Sequence, residues 1–362
     1  MKKKSTTGKA PKTTTDSLVE QIESRPKSSL YVPLDTNLVV STGSTLLDLA
    51  ISGSRIRGGG LPGGILVEIF GPPSSGKTSL LVEICSSVQS SGGEVLIADP
   101  EARLDKEYAS LFGLKIPKEI YRRPNTVTEL SDLIWNWNPK NEKVINILGA
   151  DSIAAISTSL EMESGDKRGQ RKAKELSELC RKIGRKIASV HQLLVFTNQE
   201  RQGEYGKTTP GGFAVPFHAS LRIRIARAGV RQIEVKKTIM RQIVDKKTGE
   251  ITKKKVELSK TIGTESEALI IKSSISNEFQ KVPIYTIFGF GIDDVRANLT
   301  WLKKVQALTK YPCVNKEYTY VNDAIKYIEG ENLEAQLREN VIDTRETIER
   351  LFQQKRKKKV RF

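Results

Sequence analysis

Cysteine and histidine are scarce in this chain. Its 362 residues include three cysteines, Cys85, Cys180 and Cys313, and two histidines, His191 and His218. The cysteines lie far apart and lack metal-ligand spacing, which argues against a zinc framework and predicts reduced thiols in a cytoplasmic protein. Either histidine reads as structural rather than as a metal ligand. No apolar run reaches the roughly 18 residues that span a bilayer, so no membrane protein is expected. No apolar stretch follows the initial Met-Lys-Lys-Lys, so no secretory leader is expected either. What remains is 38% hydrophobic, enough for a core.

Acids are missing from the two ends. Residues 1–12 carry five lysines and no acid, and residues 355–361 carry six Lys or Arg and no acid. Residues 231–260 carry ten bases against four acids. These three segments hold the whole formal charge of +17, and the rest of the chain is balanced. Such segments suit a polyanion, nucleic acid among them; a solubility or targeting role fits charge alone equally well.

The length suits one large domain with smaller additions. Residues 1–15 are Lys, Thr, Ser and Pro, a disorder-prone composition, and 16–23 could form a short helix capped by Asp16 or Ser17. From about residue 37, apolar runs (Ile65–Phe70, Val95–Ala98, Val144–Leu148, Leu193–Thr197, Leu221–Ile225, Ala268–Ile271) alternate with helical stretches. Leu176, Leu179, Ile183, Ile187 and Val190 recur at helical spacing. Strands alternating with helices predict an α/β fold, a mostly parallel sheet covered on both faces. Ile243–Thr252 reads as a hairpin around a Gly-containing turn, with bases on both arms. After about residue 281 a smaller α/β region is expected. No internal repeat is visible.

Gly71-Pro72-Pro73-Ser74-Ser75-Gly76-Lys77-Thr78 matches G-x-x-x-x-G-K-[S/T], after an apolar strand and before the helical stretch Ser79–Gln89. Glycines let the backbone curl so that N–H groups face phosphate oxygens, and the helix N-terminus adds a favourable dipole. Lys77 would reach the β- and γ-phosphates and the Thr78 hydroxyl would ligate Mg²⁺. The motif predicts nucleoside triphosphate binding and names no function by itself. A metal-bound triphosphate needs a further acid at a strand end, and Asp151 closes the run Val144–Ala150. Hydrolysis needs a carboxylate to orient water; Glu101 is the candidate and Asp99 its rival. An acid after a strand is, by itself, more often a helix cap.

Several separated stretches resemble the bacterial RecA recombinase family. They are Ser41-Thr42-Gly43-Ser44, Leu47-Asp48, Gly60–Gly64, Val67–Phe70 with the phosphate loop, and Asp99-Pro100-Glu101-Ala102-Arg103-Leu104-Asp105 with Tyr108. Asp151–Ala155, Phe196-Thr197-Asn198-Gln199, Thr208–Ala214, Phe217–Arg222, Ile270–Ser274 and Ile287–Gly291 continue the series. The resemblance covers about residues 37–292 well and the C-terminal region loosely. It implies that Glu101 activates water, that Asp105 and Tyr108 hold adenine with Ser79, Phe288 and Gly289 beside it, and that Gln199 senses the γ-phosphate. Lys272 would reach a neighbouring subunit's ATP. Residues 161–171 and 200–213 would be two DNA loops. Lys167, Arg168, Arg171, Arg181 and Arg201 are candidate phosphate contacts; Gly211 and Gly212 permit close backbone approach, and Phe213 or Tyr205 is a candidate wedge between bases.

The chain also departs from that family. Ser274 replaces a second interface lysine, the second loop is shorter and lacks an aliphatic wedge, and a polymerisation segment is hard to discern in residues 1–36. A basic tail stands where the family commonly has an acidic one. These departures suggest a divergent member, with a phage or mobile element as a candidate source. The expected organisation is a basic N-terminal arm (1–36), a RecA-like P-loop ATPase core (37–280) with a basic hairpin insertion (230–262), a small C-terminal α/β domain (281–350) and a basic tail (351–362). The resemblance implies ATP and Mg²⁺ as cofactors, single-stranded and homologous double-stranded DNA as partners, and a homo-oligomeric filament that exchanges strands. A DNA-dependent ATPase that mediates recombination without pairing strands is the first alternative. A small-molecule phosphotransferase is the second, disfavoured by the basic segments.

Overall fold

The computed structural model describes residues 38–158, 169–203, 206–244 and 251–352. The expected helix at 16–23 and the rest of the N-terminal arm, most of the first candidate DNA loop with Lys167 and Arg168, Tyr205, the turn at 245–250 and the basic tail lie outside the described residues.

Strands β1 (Val39–Val40) and β2 (Leu61–Pro62) form a small antiparallel pair flanking helix α1 (Thr45–Ser52). The main sheet takes β3 (Leu66–Gly71), β4 (Val95–Ala98), β5 (Tyr121–Arg122), β6 (Asn146–Ala150) and β7 (Gln192–Gln199). Between them run α2 (Lys77–Ser90), α3 (Lys106–Leu111), α4 (Val127–Asn136) and α5 (Gly169–Ser189). A short hairpin of β8 (Arg201–Gly203) and β9 (Gly206–Thr208) and helix α6 (Ala214–His218) follow. Then come the long strands β10 (Leu221–Val244) and β11 (Ile251–Ser273), then β12 (Lys281–Ile287) and β13 (Gly291–Ile292). Helix α7 (Asp294–Val305), the pair β14 (Tyr311–Cys313) and β15 (Lys316–Tyr318), and helices α8 (Val321–Gly330) and α9 (Glu334–Leu351) complete the described chain.

The sheet order is β13-β12-β11-β10-β3-β7-β6-β4-β5. From β10 to β5 every pairing is parallel; from β10 to β13 every pairing is antiparallel. Parallel strands covered on both faces need apolar residues at successive positions. β7 supplies them: Leu193 and Val195 join the hydrophobic cluster on one face, Leu194 and Phe196 the cluster on the other. The helical stripe on α5 buries Leu176, Leu179, Ile183 and Ile187 in that second cluster. Each such side chain contributes ~1.5–3 kcal/mol by leaving water.

One charged residue sits in the middle of this apolar layer. Glu68 of β3 is fully buried, and Arg222 of β10 donates to it at 2.6 Å while Asn198 of β7 donates at 2.9 Å. The pair locks three adjacent strands at fixed register. Losing one partner would strand a buried charge, a cost of about 3–5 kcal/mol.

The sheet continues through Ile292, beyond the boundary at residue 280 that composition suggests. Ala297, Leu299, Leu302, Ala324, Ile328, Leu337 and Val341 belong to the same hydrophobic cluster as Val67 and Ile69. The C-terminal elements therefore share the core of the sheet. A run of short elements hides this from the sequence, because shared burial has no local signature. No described helix is long and apolar enough to cross a membrane.

Candidate functional site

In the parallel half, β3, β4, β6 and β7 end on one edge, and the candidate residues gather there. β3 runs into the turn Pro72–Gly76 and then into α2. Gly76 sits at φ +96°, in the left-handed region open to glycine, and forms the entry to α2 without a side-chain cap. The first N–H groups of α2 are thus free of side-chain acceptors at the point where an anion would approach.

Lys77 is largely buried and donates to the carbonyls of Gly71 (3.2 Å) and Pro72 (2.8 Å). Burial lowers its pKa, opposed by the carboxylates of Asp151, Glu101 and Glu200. Thr78 Oγ1 donates to Asp151 Oδ2 at 2.7 Å, so the hydroxyl and the carboxylate meet although 73 positions separate them. The other Asp151 oxygen accepts from the Thr197 hydroxyl. Burial raises the Asp151 pKa; hydrogen bonds from Thr197 and Thr78 oppose this, while Glu101 and Asp99 add to it.

Hard oxygen donors of this kind fit Mg²⁺. Among the described residues no group of three or more His, Cys, Asp or Glu could hold a metal. Thr78 and Asp151 would therefore need phosphate oxygens to complete a shell, as a metal–nucleotide complex provides.

The geometry separates the two rival acids. Asp99 is buried, and its Oδ2 accepts from the Leu104 N–H (2.8 Å) and the Tyr121 hydroxyl (2.6 Å), which braces the turn after β4. Asp99 and Glu101 both line the cleft, but the Glu101 carboxylate is held by groups of the cleft itself. Ser152 donates to its Oε1 at 2.7 Å, the Gln199 amide approaches the same oxygen at 3.5 Å, and Arg103 pairs with Oε2 at 3.0 Å. A cleft of about 270 Å³ is lined by Lys77, Thr78, Glu101, Asp151, Ser152 and Gln199, among others. Arg201, at the start of β8, lines the adjoining hollow with Glu101, Arg103 and Gln199.

Across the phosphate loop a second cleft of about 320 Å³ is lined by Ser74–Ser79, Tyr108, Arg227, Thr264, Thr286 and Phe288. Tyr108 shares a hydrogen bond with Ser79 at 2.8 Å and packs at a tilt against Phe112, 5.0 Å between centroids. Phe288 is 60% exposed at the rim, and Gly289 follows it in the turn at φ +76°. Asp105 caps α3, accepting from the N–H groups of Glu107 and Tyr108. It thereby orients the helix that carries Tyr108.

The remaining candidates are spread wider. Lys272 donates to the carbonyls of Pro216 (3.0 Å) and Phe217 (2.7 Å) at the end of α6, and so lies outside the lining of its own chain's clefts. Ser274 donates its N–H to Ser220 O at 2.8 Å, closing the same corner. Arg171 and Arg181 are exposed along α5; Arg181 borders a groove with Trp135 and Arg185. Residues 200–213, expected as a loop, carry the β8–β9 hairpin. Gly211, at φ +94°, comes so near α5 that a Cβ would stand 2.6 Å from Leu176 Cδ1. Its close approach is thus to a helix of this chain. Gly212 and Phe213 are exposed beside it, Phe213 by 88%.

Ser152, Arg103 and Arg227 line these clefts and Thr197 holds Asp151, yet no role for them is legible in the sequence. Ser152 and Thr197 are hydroxyls at strand ends, a weak signal. Arg227 is one of several arginines on β10 and carries none.

Residues 31–257 match the family model described as the RecA N-terminal domain. The chain is 32% identical over 268 residues to Protein RecA of Laribacter hongkongensis, covering 71% of this chain and 66% of that protein. Against Protein RecA of Pseudomonas putida the identity is 31% over 263 residues, 70% of this chain and 64% of that one. Against Protein RecA of Teredinibacter turnerae it is 29% over 320 residues, 86% and 82% respectively. The match spans just under two thirds of the length of the first two relatives.

Proposed function

Because the chain belongs to the RecA family, we propose that it is an ATP-dependent DNA recombinase that forms filaments on single-stranded DNA and pairs it with a homologous duplex. The observation that carries this reading is the meeting of Lys77, the Thr78–Asp151 pair, Glu101 and Gln199 at one sheet edge, with the root of the second candidate loop beginning at Gln199. Bound Mg·ATP supplies the phosphoryl group whose transfer to water is the chemical step.

The residues divide that work. Lys77 exchanges its two carbonyl partners for phosphate oxygens. Thr78 and Asp151 would hold the Mg²⁺ of the nucleotide. Glu101, steadied at Oε1 by Ser152, orients the attacking water and takes its proton. Arg103 is 80% exposed and free to swing off Glu101 Oε2 as the site fills. Gln199 spans Glu101 and the strand end, so its amide would sense an occupied site and pass the change to the β8–β9 hairpin and Arg201. Tyr108 and Phe288, which line one cleft, would hold the base. Lys272 leaves the α6 carbonyls to meet the nucleotide of a neighbouring subunit in the filament.

Sequence recognition rests on base pairing between the two DNAs, so the protein needs backbone contacts and base spacing only. A cytoplasmic location follows from this reading. D-loop formation from single-stranded and homologous supercoiled DNA tests it. Joint molecules are expected with ATP and Mg²⁺. Their absence from a preparation that hydrolyses ATP in response to single-stranded DNA would leave the second reading, a DNA-dependent ATPase that acts without pairing strands. Ser274, standing where a second interface base is expected, favours that reading.

A further inference from the structure

The antiparallel half of the sheet holds a feature that ATP chemistry does not use. β3 pairs with β10 only from Leu221 to Arg224, and β12 pairs with β11 only from Gly263 to Leu269. Beyond those residues β10 and β11 continue as a bare two-stranded ribbon. It runs without a register shift from Glu234↔Thr261 to Val244↔Ile251, eleven rungs. At ~3.3 Å per residue this arm reaches about 35 Å past the sheet.

Residues directly opposite in an antiparallel pair share a face, and the faces alternate along the arm. One face carries the rungs Val235↔Lys260, Lys237↔Leu258, Ile239↔Val256 and Arg241↔Lys254. It holds four bases, four aliphatic residues and no acid. The other face carries Glu234↔Thr261, Lys236↔Ser259, Thr238↔Glu257, Met240↔Lys255 and Gln242↔Lys253, three bases with two acids. Its Glu257 is paired with Lys236 at 2.7 Å. Arg241 and Lys254 are like charges directly opposite each other, an arrangement that destabilises a ribbon unless an anion covers it. Ile239 and Leu258 stand 42% and 50% exposed on the same face.

We propose that this face is a duplex-DNA site, seated in the major groove with its bases on the flanking phosphates and its aliphatic centre against the base edges. The major groove, ~12 Å wide, admits a two-stranded ribbon. Single-stranded DNA is held by aromatic side chains on which bases stack, and residues 231–262 contain no Phe, Tyr, Trp or His. Aliphatic side chains suit thymine methyl groups and sugars instead. The foot of the arm meets the phosphate loop: Arg227 donates to Ser74 O at 3.2 Å, and both Arg227 and Thr264 line the cleft shared with Lys77 and Phe288. The arm therefore leaves the sheet beside the candidate nucleotide cleft. This identifies where the duplex partner of the proposed recombinase is first held, and it rests on that reading only for calling that duplex the homologous one.

Two full-length variants carrying the same charge change test the assignment. Arg241→Gln with Lys254→Gln neutralises the proposed face, and Lys253→Gln with Lys255→Gln neutralises the same depth of the arm on the other face. Binding to a short mixed-sequence duplex and to oligo(dT) is measured across a salt series. The first variant is expected to lose about tenfold in duplex affinity and to shallow the log–log salt slope by about 1.8, with oligo(dT) binding and ATP hydrolysis unchanged. The second should change duplex affinity less than twofold. Equal losses in both variants, no loss in the first, or a loss confined to oligo(dT) would overturn the proposal. A wild type that binds duplex through this face but shows no hydrolysis stimulated by single-stranded DNA would instead sink the recombinase reading and leave the ribbon site standing.

Discussion

The two halves of the sheet use the same strands to opposite ends. In the parallel half β3, β4, β6 and β7 are four to eight residues long, buried on both faces, and stop together at the edge that holds Lys77, Glu101, Asp151 and Gln199. In the antiparallel half β10 and β11 run for 24 and 23 residues, and their outer parts bury almost nothing. Fixed chemistry needs side chains held to a fraction of an ångström by a packed core. Reaching a large polyanion needs length and charge, and tolerates motion. One sheet supplies both because its strands change direction of pairing at β10.

Four measurements would break or sharpen that contrast. The largest effect is expected at Glu101. Glu101→Gln should lower kcat for ATP hydrolysis by about 10²–10⁴-fold while nucleotide affinity changes little, as steady-state kinetics with a direct binding assay would read. A tenfold loss or less would move the base elsewhere in the cleft.

The packed half is tested next at Phe196, which is fully buried on β7, three residues before Gln199. Phe196→Ala should cost about 3–5 kcal/mol in denaturant unfolding. A cost below about 1 kcal/mol would deny the rigidity assigned to this half.

The third measurement reads the seam between the halves. Glu83 of α2 faces Asp294 and accepts from the Ile292 N–H; burial first, then Asp294, raises its pKa from 4.5 to about 7. Its folded pKa lies above its unfolded one, so the neutral acid is the favoured folded form. Stability is therefore full below about pH 4.5, falls as pH rises to about 7, and is flat above. Glu83→Gln should remove that slope and exceed the wild type by roughly 1–2 kcal/mol at pH 8, an advantage that vanishes near pH 4.5. Parallel slopes for the two proteins would show that the carboxyl is solvated.

The smallest effect is expected from the arm. Replacing residues 235–260 by a two-residue Asn-Gly turn should shift the thermal midpoint by no more than about 2–3 °C, because the described side chains of the ribbon are exposed or half-exposed. A drop of ten degrees would make it part of the core.

Much of the candidate nucleotide site is legible in the chain because its parts are local. The phosphate loop needs eight consecutive residues, and Asp151 and Gln199 each close an apolar run. The resemblance to RecA then supplied roles for Glu101, Asp105 and Tyr108 that spacing alone could not. Less was legible wherever partners are distant in sequence. Ser152 on Glu101 and Arg227 on the phosphate loop are hydrogen bonds across 51 and 153 positions. Gly211 reads as a place for DNA to approach, and its neighbour proves to be Leu176.

The phosphate loop, the alternation of strands and helices, and the location of the excess charge were determined by the sequence alone, since each is a matter of which residues stand next to which. Tertiary structure decided that Asp99 braces the turn after β4 while Glu101 is held by Ser152 and Arg103, that the C-terminal elements share the core of the sheet, and that one face of the extended arm carries four bases without an acid while the other carries three with two. Those outcomes depend on which strands pair and in what register, and register is set by burial across the whole sheet rather than by any segment's own composition.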